Sequence, residues 1–208
     1  MRVAVVNEVS AANKNEDILK ALEGFDCELI NSGMQSPDDQ PELTYIHTGL
    51  ISALLLNLDA VDLVVGGCGT GQGFLNSVVQ YPGVFCGLIS DPLDAWLFSQ
   101  INGGNCISLP LNKGYGWAGD INLKYIFEKL FTGEMGAGYP AHRKESQKES
   151  RNKLKQISAA SHLKMEDILA LLDGTIIKTV FSAEGFTAAL QLHAKNTTLR
   201  DFILKQYS

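Results

Sequence analysis

Residues 61–73 read Val61-Asp62-Leu63-Val64-Val65-Gly66-Gly67-Cys68-Gly69-Thr70-Gly71-Gln72-Gly73. Apolar and β-branched residues run straight into glycines, a cysteine and a threonine, and the stretch from Phe74 to Gln80 reads as helix. That order predicts a buried parallel strand, a tight turn and a helix start. In open α/β sheets, ligands bind at the carboxyl ends of the strands. Glycines at 69, 71 and 73 let the backbone approach a ligand and leave N–H groups at the helix entrance, where an anion is favoured. Cys68 puts a thiol at the same place, and a helix N-terminus lowers a thiol's pKa. The stretch predicts an anion pocket beside a reactive thiol.

Upstream, Arg2 to Asn7 reads as a first strand with Asn7-Glu8-Val9-Ser10 as a polar loop at its end. A helix from about Asn13 to Glu23 and a second strand from Cys27 to Asn31 follow. A second helix runs from near Glu42 to Leu58 and is apolar almost all round, which predicts a helix covered on both sides. A surface helix of a monomer would show a polar stripe, so this helix predicts a dimer or larger. Downstream, Val84 to Ile89 is a fourth strand. Asp91 and Pro92 open a helix that Asn102-Gly103-Gly104 ends. Asn105 to Leu109 is a fifth strand, and a helix runs from Asp120 to Phe131. Strict alternation predicts an α/β, Rossmann-like three-layer sandwich on a mostly parallel five-stranded sheet.

The composition changes after Gly133. His142 to Lys155 is a charged arm, and Met165–Leu172, Phe186–His193 and Leu199–Tyr207 read as short amphipathic helices. The expected division is an α/β domain over 1–150 and a helical C-terminal extension over 151–208. The chain has 208 residues, 45% of them hydrophobic, and a net charge of −6. That acidity argues against a nucleic-acid partner, and no apolar run is long enough to span a membrane. The four cysteines, Cys27, Cys68, Cys86 and Cys106, have no C-x-x-C spacing, which speaks against zinc ribbons and thioredoxin-like motifs. Cys27, Cys86 and Cys106 fall in strands and are expected to be core residues. These features predict a reduced, cytoplasmic protein.

The turn Cys68-Gly69-Thr70-Gly71-Gln72-Gly73, with Asn102 and Asn105 after the fourth helix, resembles the family of type-B ribose-5-phosphate and galactose-6-phosphate isomerases. The resemblance covers roughly residues 1–150. It implies an isomerase that interconverts aldose and ketose sugar phosphates without metal or organic cofactor. It also implies a homodimer or homotetramer with the active site at the dimer interface. By position, Cys68 matches the base that moves a proton between the first two sugar carbons. Gly69, Thr70, Gly71 and Gly73 match the backbone around the enediolate oxygens. Asn102 matches a hydroxyl-binding asparagine, and Tyr45 an aromatic lining residue. Lys113 falls where the family often has a phosphate-binding arginine, and Arg143 or Arg151 matches a basic arm reaching the phosphate.

Two positions depart from the family. Glu8-Val9 stands where members carry Asp-His, and Ile101 stands where they carry the histidine that opens the furanose ring. His47, inside the second helix, and Glu8, at the end of the first strand, are the substitutes for that histidine. The alternatives are that the substrate arrives open, or that the reaction differs. On its own chemistry, a thiolate at Cys68 acts as general base, and N–H groups of residues 69–73 stabilise the oxyanion. Asn102 and Asn105 serve either the sugar or the helix end. Tyr115 and Trp117 either line the pocket or pack their loop, and His142 lies in the basic arm. The expected function is aldose–ketose isomerisation of a phosphorylated sugar, by proton transfer through Cys68 and an enediolate; the alternatives are isomerisation or epimerisation of an unphosphorylated sugar and sugar-phosphate sensing without turnover.

Overall fold

The computed structural model describes residues 1–207. β1 (Arg2–Asn7), β2 (Glu28–Asn31), β3 (Leu63–Cys68), β4 (Cys86–Leu88) and β5 (Cys106–Pro110) form one sheet in the order β2-β1-β3-β5-β4. Every pairing is parallel. The helices that connect them are α1 (Asn15–Leu22), α2 (Tyr45–Asn57), α3 (Gln72–Val78) and α4 (Pro92–Leu97), with α5 (Gly119–Leu130) after β5. A 3-10 turn over Val9–Lys14 precedes α1, and α4 continues into a π-helical turn over Phe98–Asn102.

The sheet separates two apolar layers. Val3, Val5, Leu63, Val65 and Ile107 face α1 and α5, while Ala4, Val6, Val64, Cys68 and Cys106 face α2 and α3. Gly66 makes room for one of these contacts: a Cβ there would lie 2.2 Å from the Phe74 ring of α3. The strand order changes direction between β1 and β3, and their carboxyl ends form the crevice where this architecture binds ligands.

The C-terminal third is entirely helical: α6 (Lys144–Ser161), α7 (Met165–Leu171), α8 (Gly174–Phe181), α9 (Glu184–His193) and α10 (Thr197–Tyr207). The division expected at 150/151 falls inside α6. Helices α7–α10 bury Leu169, Ile177, Val180, Phe186, Leu190, Leu199 and Ile203 in the same cluster as Leu50, Leu54 and Leu58 of α2. Each such side chain contributes roughly 1.5–3 kcal/mol by leaving water. The apolar circumference of α2 is therefore covered within the chain, by the sheet on one side and by α8 and α9 on the other. The sequence inference from that helix to a dimer loses its basis. Sequence reading also missed α8, whose run Thr175-Ile176-Ile177 and Thr179-Val180 is β-branched and weak in helix propensity. Asp173 supplies its start by accepting from the Thr175 amide at 2.7 Å.

Candidate active site

The β1–β3 register ends with Asn7 opposite Gly67, so the next residues, Glu8 and Cys68, come side by side at the crevice. Cys68 is buried, with its side chain on the α2/α3 face. Its Sγ lies 3.9 Å from Thr70 Oγ1. The turn after it is held from both flanks. The amides of Asn112 and Lys113 donate to the Gly69 carbonyl at 2.9 Å each, and that of Leu111 donates to the Cys68 carbonyl at 3.0 Å. Ser108 Oγ donates to the Gly71 carbonyl at 2.6 Å. Gly71 has φ of 74°, a left-handed conformation that suits glycine.

Sequence reading missed Ser10 and Asn112. The Gly69 amide donates to Ser10 Oγ at 3.0 Å, and Asn112 Nδ2 donates to the Ser10 carbonyl at 2.7 Å. The Ser10 hydroxyl in turn donates to Glu8 Oε1. A Glu-x-Ser spacing at the end of a strand, with Glu8 capping the following turn, was the available signal. The expectation that amides 69–73 all face a ligand needs correction. Gly71 donates to Cys68 at 3.2 Å, Gln72 to Thr70 Oγ1 at 3.3 Å, and Gly69 to Ser10. The amides of Thr70 and Gly73 remain without an acceptor among the described residues. Tyr45 lies against Gly73, where a Cβ would come to 3.0 Å from its ring.

His47 belongs to the start of α2. Its Nδ1 accepts from the Thr44 amide at 3.0 Å and lies 3.1 Å from Thr44 Oγ1, closing a capping box. Burial holds its pKa below the usual histidine value, against an opposing pull from Glu42. Of the two ring-opening candidates, Glu8 is the one bonded into the Cys68 turn. Tyr115 is a packing residue: its hydroxyl donates to Asp17 at 2.7 Å, and burial together with that carboxylate pushes its pKa far up. Trp117 is 99% exposed and packs on nothing.

The remaining predicted residues gather elsewhere. Asn102 ends the π-helical turn and lines a cleft of about 540 Å³ with Arg143, Arg151, Lys155, Phe85 and Cys86. This cleft lies at the amino ends of β4 and β5, whereas Cys68 pairs with Pro110 at the carboxyl end of β5. The four residue steps from Cys106 to Pro110 separate the two levels by about 13 Å at about 3.3 Å per residue. Arg151 is engaged within the fold, donating to the carbonyls of Ile101 and Gly136 at 2.9 Å each. Arg143 is exposed, and its side chain bonds only the neighbouring Ser146, at 3.2 Å. Asn105 ties the starts of two strands together, accepting from the Phe85 amide and donating to the Gly83 carbonyl at 2.8 Å each. Lys113, with an exposed side chain, sits on the Cys68 side. Among the described residues no cluster of three or more His, Cys, Asp or Glu is arranged for a metal, and no helix is long and apolar enough to cross a membrane.

A sequence profile described as Ribose/Galactose Isomerase matches residues 3–144, a span that includes β1–β5, the Cys68 turn and Asn102. The chain belongs to the ribose/galactose isomerase family. It is a sugar isomerase with a small-molecule sugar substrate. Two solved structures resemble it from end to end. One is described as a 4-deoxy-L-threo-5-hexosulose-uronate ketol-isomerase complexed with a tartrate; it is 38% identical, with a TM-score of 0.94 over 99% of this chain and 98% of that one. The other, a ribose-5-phosphate isomerase from Vibrio parahaemolyticus, is 40% identical, with the same TM-score and the same coverage. A ribose-5-phosphate isomerase from Thermotoga maritima shares the fold at 19% identity and a TM-score of 0.61, and 97% of its length covers 74% of this chain. No curated protein sequence matches. The helical tail is thus shared with the two full-length relatives and exceeds the span matched by the shorter one.

Proposed function

We propose that this isomerase interconverts an aldose and a ketose bearing a terminal phosphate, with Cys68 as the base that carries a proton between C1 and C2. The observation that carries the reading is the placement of Cys68 at the β1–β3 crevice beside the unoccupied amides of Thr70 and Gly73. The Cys68 thiolate removes the C2 proton of the open-chain aldose, and the electrons pass to O1, giving an enediolate. The two amides stabilise the negative oxygen, as preorganised donors do. Glu8 and Ser10, joined to each other and to Gly69, carry the hydroxyl proton between O2 and O1. The Cys68 thiol then protonates C1.

Asn102 and Arg143 cannot reach Cys68 of their own chain across the sheet. We assign them to the active site of a second copy, where Arg143 meets the phosphate and Asn102 a hydroxyl, in a homodimer or a homotetramer built from it. Arg151 shapes that cleft through its carbonyl bonds, and Lys113 offers a cation from the Cys68 side.

A second reading replaces the phosphate by a carboxylate. Ile101 supplies no proton for ring opening, so a substrate without a ring suits this site better. The name of the 38% identical relative describes such a compound, with no hydroxyl at C4 and a carbonyl at C5. Incubation with ribose 5-phosphate, galactose 6-phosphate and the 5-keto-hexuronate in deuterated water separates the readings. Deuterium at C1 or C2 of a sugar phosphate supports the first, and of the uronate alone the second. Tight binding without exchange in any of them overturns both and leaves a sensor.

A further inference from the structure

Cys86 and Cys106 take no part in the proposed proton transfer, yet the fold sets them side by side. They are direct register partners of parallel β4 and β5, and both side chains project to the α2/α3 face. Parallel neighbours lie about 4.8 Å apart at Cα, inside the roughly 4.4–6.8 Å window that a disulfide spans. Both thiols take the same orientation: Cys86 Sγ points to the Gly87 carbonyl and Cys106 Sγ to the Ile107 carbonyl, each at 3.9 Å. Cys106 is completely buried, while Cys86 is half-buried and forms part of the wall of the 540 Å³ cleft. β4 is an edge strand of only three residues, paired with β5 alone.

We propose that Cys86 and Cys106 form a dithiol oxidation site, which small hydroperoxides entering the cleft convert into an intrachain disulfide. Access fixes the order of events. The Cys86 sulfur attacks one peroxide oxygen, the O–O bond breaks, and water leaves after taking up the thiol proton, giving a sulfenic acid. The Cys106 sulfur then attacks the Cys86 sulfur. The S–O bond breaks, and hydroxide leaves with the Cys106 proton as a second water. Two electrons and two thiol protons thus reduce one hydrogen peroxide to two waters. Burial and the neighbouring Cys86 thiol push the Cys106 pKa well up, which keeps Cys106 a thiol until the sulfenic acid forms beside it.

The test uses the full chain with Cys68→Ala, so that the crevice thiol does not compete, and reads covalent mass rather than turnover. Reduced protein, freed of reductant, is treated with hydrogen peroxide, alkylated and mapped. The expected product has lost two hydrogens and yields a peptide pair linked through Cys86 and Cys106. Cys106→Ser in the same background is expected to stop at a sulfenic acid on Cys86, which dimedone traps, and Cys86→Ser to give no linkage. Recovery of both residues as alkylated thiols after oxidation overturns the proposal whether or not either variant folds. Absence of a dimedone adduct on Cys86 in a folded Cys106→Ser protein overturns it as well.

Discussion

The Cys68 turn and the Arg143 cleft are built in opposite ways. The turn is one continuous stretch, residues 68–73, whose backbone is clamped by Ser10, Ser108 and Asn112. The cleft is assembled from three separated segments, around Phe85, Asn102 and Arg143, and its cations project from α6 and the turn before it, neither of which has a buried residue. A clamped turn suits chemistry, where a displaced donor is costly. A cleft walled by an exposed arm suits capture of an anion. The two lie at opposite ends of the strands, and under the proposed assignment to two copies each supplies a different half of one site.

The largest expected effect is on the turn. Cys68→Ala should reduce turnover by about 10²–10⁴-fold, the usual worth of a positioned base, with substrate binding and the melting temperature kept close to wild type. Near-normal turnover in that variant, measured by deuterium incorporation, would remove the thiolate mechanism. A mixing experiment then asks whether the halves belong to different copies. Cys68→Ala and Arg143→Ala proteins, each weak when assayed alone at substrate well below KM, should regain roughly a quarter of wild-type activity when unfolded and refolded together, because each mixed dimer holds one intact site. No regain would place both halves in a single chain's site and contradict the strand-level separation.

Smaller effects distinguish the two arginines. Arg143→Ala should raise KM by roughly 10–100-fold, the value of one charge-assisted hydrogen bond, with stability unchanged. Arg151→Ala should act the other way round. It frees the carbonyls of Ile101 and Gly136, which costs about 1–2 kcal/mol at a partly exposed position and shows in urea unfolding more than in KM. If Arg151→Ala instead raises KM with no loss of stability, its guanidinium leaves the carbonyls to hold substrate.

What was legible in the sequence follows the same contrast. The strand, turn and helix around Cys68 were readable because their signals are local: β-branched residues, glycines and a helix start within thirteen positions. The clamps were not, since Ser10 and Asn112 lie far from Cys68 along the chain and meet it only through the β1-β3-β5 order. The same limit explains the misreading of α2. Its apolar circumference was visible, but the helices that cover it, α8 and α9, lie more than 100 residues downstream. Arg143 and Arg151 look alike in sequence, and only the carbonyls of Ile101 and Gly136 tell them apart.

His47 gives the smallest effect and tests whether the turn needs a histidine at all. Its Nδ1 accepts the Thr44 amide in the first turn of α2, a task that the neutral ring performs and the charged ring does not. Burial sets its folded pKa below the usual histidine value. Between the unfolded value of about 6.5 and the lower folded value, the unfolded chain binds more protons than the native one. Stability should therefore be fully present above about pH 6.5 and fall as the pH is lowered through that window. His47→Gln keeps an acceptor at the third helical position, as in a capping box, and cannot titrate. It should match wild type in urea unfolding at pH 7.5 and lose the histidine's share of the decline toward pH 5. His47→Leu removes the acceptor and should cost roughly 0.5–1 kcal/mol at both pH values. In turnover, both variants should slow cyclic and open-chain substrates alike. Selective slowing of cyclic sugars in His47→Gln would assign ring opening to His47, and would make the start of α2 part of the catalytic half rather than its support.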